Sequence, residues 1–134
     1  MRFNTKDITY YNQPFDHWVL DDFLDNNDAK KLSKQFIDFD NPTEEIIHYK
    51  GWIGEKRTCN RWDRFPPLTY STFSNLLSDK FIDKLSDITG ITPLYPDIGL
   101  HGGGWHMSGK GGSLAMHLDY SIHPKMNLQR KLNL

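Results

Sequence analysis

Apolar residues recur at helical spacing in two stretches of the chain and alternate with polar ones in others. Ala29, Leu32, Phe36 and Phe39 follow one another at intervals of three and four, which places them on one stripe of a helix of about three turns. Asn26 or Asn27 is positioned to cap its start, and Asp28 then sits in the first turn, where the peptide dipoles favour a carboxylate. Asn41-Pro42 ends it. A second helix is predicted from about Ser71 to Thr89 by Phe73, Leu76, Leu77, Phe81, Ile82 and Leu85. Gly90 follows as a residue that can take the left-handed cap conformation. The aromatic and apolar run from Phe15 to Leu24 reads as a short strand followed by a turn.

Between Ile46 and Pro67 the pattern is less regular. Ile46, Ile47, Tyr49, Trp52 and Ile53 suggest extended chain broken at Gly51 and Gly54. Arg57, Arg61 and Arg64 then interleave with Trp62 and Phe65, and Pro66-Pro67 closes the segment as a loop or turn. Beyond Ile91, Leu94 to Ile98 looks extended, and residues 102–112 are dense in glycine. Ser113 to Tyr120 alternates as a strand does, and Leu128 to Leu134 reads as a strand that has just begun. The expectation is an α+β fold, with two helices backing a sheet.

Composition narrows the function classes. The chain has 134 residues, 16 basic and 17 acidic side chains and a net charge of -1, so a single domain over 1–134 is expected. That near-balance argues against a nucleic-acid binder, which carries a basic excess. The lone cysteine, Cys59, excludes an internal disulfide framework and paired-cysteine zinc sites. No apolar run approaches the roughly 20 residues of a membrane span, and residues 1–7 show no apolar leader segment. A cytoplasmic, reducing setting and no membrane partner are expected.

His117-Leu118-Asp119 carries the clearest chemistry. Residues two apart in a strand project to one face, so an imidazole and a carboxylate there can share a metal ion. Two histidines and one carboxylate on one face hold iron in non-haem oxygenases and leave positions open for oxygen and substrate. The plain alternative is a solvated strand end. Several rival sites exist. Gly104-Trp105-His106-Met107-Ser108-Gly109-Lys110 fits a phosphate-loop pattern, but Gly111 follows where a magnesium-binding hydroxyl is needed. His101, His106, His117, Asp119 and His123 could instead form a zinc site, although their spacings match no zinc signature. Arg57, Arg61 and Arg64 with Trp62 and Phe65 could recognise an acidic or nucleic-acid substrate, against the plainer reading of a surface loop with its aromatics turned inward. Cys59 lies among those cations, and a structural thiol is the plainer reading.

Several elements, in order, resemble the prolyl 4-hydroxylase-like branch of the Fe(II)- and 2-oxoglutarate-dependent dioxygenases. Pro14 to Leu24 looks like that family's opening segment, and Leu85 to Ile91 like the end of its long support helix. Gly102 to Tyr120 looks like the first core strands bearing the His-x-Asp pair. His123-Pro124, then Leu128 to Leu134, resembles the next strand. The resemblance implies a double-stranded β-helix, or jelly roll, with helical support over about 1–92 and the start of the core over about 93–134. It implies His117 and Asp119 as two of three iron ligands, Fe(II), 2-oxoglutarate and ascorbate as cofactors, and a peptide, amino acid or metabolite as substrate. The family's third ligand is a histidine some tens of residues downstream, followed by an Arg or Lys that pairs with 2-oxoglutarate. His123 comes too early for the former, and Arg130 lies on the wrong strand for the latter. The expectation is therefore a chain carrying half a site and an incomplete roll, cut short after Leu134. A second reading is a non-catalytic remnant or binding module of the same fold that needs a partner chain, since an unfinished sheet edge invites pairing.

Overall fold

The computed structural model describes residues 3–35, 47–49 and 56–134. It is a mixed α+β arrangement of two small antiparallel sheets and three helices, as expected in class. Strands β1 (Ile8–Tyr11) and β2 (His17–Leu20) form a two-stranded ribbon. Tyr10 lies opposite Trp18 and Tyr11 opposite His17, with ring centroids 5.3 and 5.1 Å apart. Such cross-strand ring pairs are what hold a two-stranded ribbon together. Phe3 stacks on Phe23 at 4.7 Å, and both meet Phe81 edge-on, which fastens the ribbon to the helical part.

Helix α1 (Asn26–Lys34) covers the first part of the predicted helix, with Gln35 as its C-cap, and its N-cap is Asp25 rather than an asparagine. Asp25 has extended backbone, and its Oδ1 accepts from the Asp28 N–H at 2.7 Å. A carboxylate there satisfies an orphan amide and meets the positive end of the helix dipole. Phe36, Phe39 and Asn41-Pro42, the far end of the predicted helix, lie outside the described residues, as do Ile46, Trp52 and Ile53.

The predicted helix over 71–89 is two helices, α2 (Pro67–Leu76) and α3 (Asp79–Thr89). Pro67 opens α2 at the first helical position, where its missing N–H costs nothing. That makes Pro66-Pro67 a helix start and not only a turn. The break falls at Ser78, which has extended backbone and accepts from the Phe81 N–H. A serine gains more as a cap than in a helix interior, so the apolar stripe continues across the break while the backbone restarts. Gly90 ends α3 in the left-handed conformation, φ 71°, with its N–H on the Ser86 carbonyl.

The second sheet is β3 (Ile47–Tyr49), β4 (Lys56–Cys59) and β5 (Trp105–Ser108), in that order. Cys59, Phe65 and Leu100 are buried against it, with Trp62, Phe73, Leu77, Trp105 and Met107 packed around them. Phe65 stacks on Phe73 at 5.0 Å, and Trp105 meets Phe73 edge-on at 5.9 Å, so α2 backs β4 and β5 through these rings. Each such side chain contributes about 1.5–3 kcal/mol by leaving water. The Arg-rich stretch therefore turns its aromatics inward. Arg61 pairs with Asp63 at 2.8 Å, and Cys59 is a buried structural thiol. Among the described residues no helix is long and apolar enough to cross a membrane.

Three expected extended segments differ. Residues 94–98, 113–120 and 128–134 lie in no strand; only an isolated Ile122–Gln129 bridge forms there. Alternation shapes one strand's two faces, but a strand also needs a ladder partner, and none runs beside 113–120 among the described residues.

Candidate metal centre

The site is built on a tight hairpin over residues 121–130. The Arg130 N–H bonds to the Ser121 carbonyl at 2.8 Å, and the His123 N–H to the Leu128 carbonyl at 2.8 Å. The turn between them closes with the Asn127 N–H on the His123 carbonyl, Asn127 itself having φ 55°. Asparagine tolerates that left-handed backbone better than most residues. The His123 side chain completes the turn. Its Nδ1 accepts from the amides of Lys125 and Met126 at 3.2 and 3.0 Å. An atom that accepts two N–H groups carries no proton, so the ring proton is on Nε2. Nε2 lies 3.3 Å from Asp97 Oδ1, an electrostatic contact that stops short of a hydrogen bond.

Asp97 fixes the preceding loop in the same way. Its Oδ2 accepts from the His101 N–H at 2.5 Å, and the Tyr120 hydroxyl donates to the His101 carbonyl at 2.7 Å. The rings of His101, Tyr120 and His123 meet edge-on at 5.2 to 6.0 Å. Loop 97–103 and hairpin 121–130 are thereby pinned on either side of Tyr120, the residue after Asp119.

His117 and Asp119 converge in front of this frame. His117 Nε2 is 3.4 Å from Asp119 Oδ1. His117 Nδ1 is 2.8 Å from the Ala115 carbonyl oxygen. A carbonyl only accepts, so Nδ1 carries the proton and the lone pair of the neutral ring sits at Nε2, toward Asp119. Metal-bound histidines are held in the same manner, by a second-ring-nitrogen bond to a carbonyl or carboxylate. Two donors on one ion, each about 2.0–2.2 Å from it, lie roughly 3.0–3.4 Å apart. The pair therefore fits an N/O ligand set for a first-row divalent ion. Both side chains are partly open, 36% and 49% exposed. Although 113–120 forms no strand, the period of two survives: Met116 and Leu118 stand fully exposed while His117 and Asp119 turn toward each other.

The structure separates the other candidates. Among the described residues no three His, Cys, Asp or Glu side chains gather as a metal site, so His101, His106 and His123 do not join His117 and Asp119 in a zinc cluster. Trp105–Ser108 is a strand, where a phosphate loop would need open loop leading into a helix. Arg130, which lies in no strand, reaches Asp119, its NH1 3.2 Å from Oδ2. Spacing singles out neither Asp97 nor Tyr120. His123-Pro124 marks the turn, and Arg130 follows at the distance a short hairpin returns, but contact with Asp97 lies 26 residues away and no local pattern carries it.

His106 on β5 titrates apart from this site. Partial desolvation of its ring and the nearby Lys56 ammonium hold it below the ordinary histidine value, against a weaker opposing effect of the Gly103 carbonyl. A histidine that is less basic when folded binds more protons unfolded, so stability is complete above about pH 6.5 and falls as pH drops toward the folded value. The His106 ring resonances should titrate below that of a free histidine, and Lys56→Gln should move the midpoint upward. A midpoint that Lys56→Gln leaves in place would remove the lysine as a cause.

No family model matches the chain, and no curated protein or solved structure is significantly similar to it.

Proposed function

We propose that this chain provides the metal-binding front of an Fe(II)- and 2-oxoglutarate-dependent dioxygenase, a hydroxylase of prolyl or other amino-acid side chains. The single observation that carries the reading is the His117–Asp119 pair, with the histidine tautomer fixed by Ala115 and a donor separation suited to one ion. When bound, iron with 2-oxoglutarate supplies the oxidising power for C–H hydroxylation, with succinate and carbon dioxide as co-products. The chain's own residues hold and orient. His117 offers a neutral nitrogen, Asp119 offers Oδ1 and a negative charge, and hairpin 121–130 keeps Asp119 in place. A third ligand and a cation for the far carboxylate of 2-oxoglutarate are further requirements of this chemistry. In this reading β3–β4–β5 and hairpin 121–130 belong to a jelly roll backed by α2, ascorbate maintains the ferrous state, and the setting is cytoplasmic.

One observation favours a second reading. Leu114, Met116 and Leu118 are exposed in succession, as they would be on a module that docks against another chain. The test is succinate formation by the intact gene product, reconstituted anaerobically with Fe(II) and given 2-oxoglutarate and oxygen. Succinate that appears only with both Fe(II) and 2-oxoglutarate, and stops on chelation, is expected. A folded, iron-loaded protein that forms none would leave the docking module.

A further inference from the structure

We propose that Arg130 is a positioning residue that restricts Asp119 to one-oxygen coordination; this rests on the reading of His117 and Asp119 as ligands. A carboxylate on an open loop can rotate or clasp an ion with both oxygens. Here Arg130 NH1 holds Oδ2 at 3.2 Å, which leaves Oδ1 as the oxygen facing His117 Nε2. The guanidinium is itself held on two further sides. Its carbon lies 4.9 Å over the Tyr120 ring, and NH2 donates to Asn133 Oδ1 at 2.8 Å. The Arg130 backbone N–H is fixed to the Ser121 carbonyl by the hairpin. The Arg130 side chain is only 23% exposed against 49% for Asp119, so the cation is the better-anchored member of the pair.

Two effects of Arg130 on a bound cation oppose each other. Its charge repels the ion, while its grip keeps one carboxylate oxygen aimed at the site and leaves more of the ion's positions open. Lysine at this position keeps the charge but loses the planar fork and the stacking.

The probe is Mn(II) alone, bound by the full chain and measured through loss of the free-ion electron paramagnetic resonance signal, with water relaxation reporting the waters left on the bound ion. Arg130→Met removes the grip and the repulsion together, so Asp119 should clasp the ion with both oxygens, leaving fewer waters per bound Mn(II) with binding no weaker than in the wild type. Arg130→Lys keeps the charge and loses the fork, so it should also lower the water count but without any gain in affinity, and it decides the matter alone if the methionine variant does not fold. A water count unchanged from the wild type in the folded variants would overturn the positioning role. Wild-type protein that binds no Mn(II), or binding that survives Asp119→Ala, would instead overturn the ligand assignment beneath it.

Discussion

Asp119→Ala should abolish 2-oxoglutarate-dependent succinate formation by the intact protein, and His117→Ala should do the same. The expected fall is about a thousandfold or more, which corresponds to roughly 4 kcal/mol of lost transition-state stabilisation. The reason lies in the thinness of the site. Among the described residues His117 and Asp119 are the donors that converge, and losing either leaves an ion only one ligand from this part of the site. The substitutions should cost little stability. The Asp119–Arg130 and His117–Asp119 contacts are partly exposed, and ion pairs in such positions contribute about 0–1 kcal/mol. Activity should thus vanish in a protein whose unfolding midpoint barely moves. Unchanged succinate output from either variant would sink the assignment of these residues as ligands.

Gly104→Ala should destabilise the fold by about 3–5 kcal/mol, a large part of the 5–15 kcal/mol that a typical domain has. Gly104 has φ +94°, which alone costs a side-chain-bearing residue about 1–2 kcal/mol. Steric contact costs more than the backbone angle. A Cβ at this position would collide with the Cys59 carbonyl oxygen and the Asn60 Cα. These are backbone atoms, so relief requires moving β4 from β5 just where Cys59 pairs with Trp105. Both residues belong to the packed core, so the shift would open it. Gly111 is the control. Its φ of +80° is similar, but nothing lies within 4 Å of a Cβ there, so Gly111→Ala should cost only the backbone strain. Urea unfolding measures both. A Gly104→Ala midpoint equal to that of Gly111→Ala would contradict the close approach.

What could be read from the chain, and what could not, follows the range of the forces involved. Gly90 as a helix end and the stripe Ala29–Leu32 depend on neighbours within one turn, and both are where the spacing puts them. The restart at Ser78 is hidden in the sequence because Phe73, Leu77 and Phe81 keep one stripe across it, while the serine's side-chain capping bond leaves no mark on that stripe. Asn26 reads as a cap as readily as Asp25 does, because both can cap and only the backbone angle at residue 25 decides between them. The strand expected over Ser113–Tyr120 needs a partner that no local alternation can supply. At the site, the His-x-Asp spacing is legible since it lies within three residues. The hold of Arg130 on Asp119, and of Asp97 on His123, depends on a hairpin register and a loop that only the folded chain brings together.

The measurement that bears most directly on the metal-binding role of His117 and Asp119 is a Mn(II) titration of the full chain followed by nuclear magnetic resonance. A paramagnetic ion broadens the signals nearest to it, so even weak binding is located. Broadening should begin at His117 and Asp119, spread to Tyr120 and Arg130, and disappear in His117→Ala. Broadening centred elsewhere, for instance on the aspartates at positions 21, 22 and 25, with His117 and Asp119 left sharp, would contradict that role.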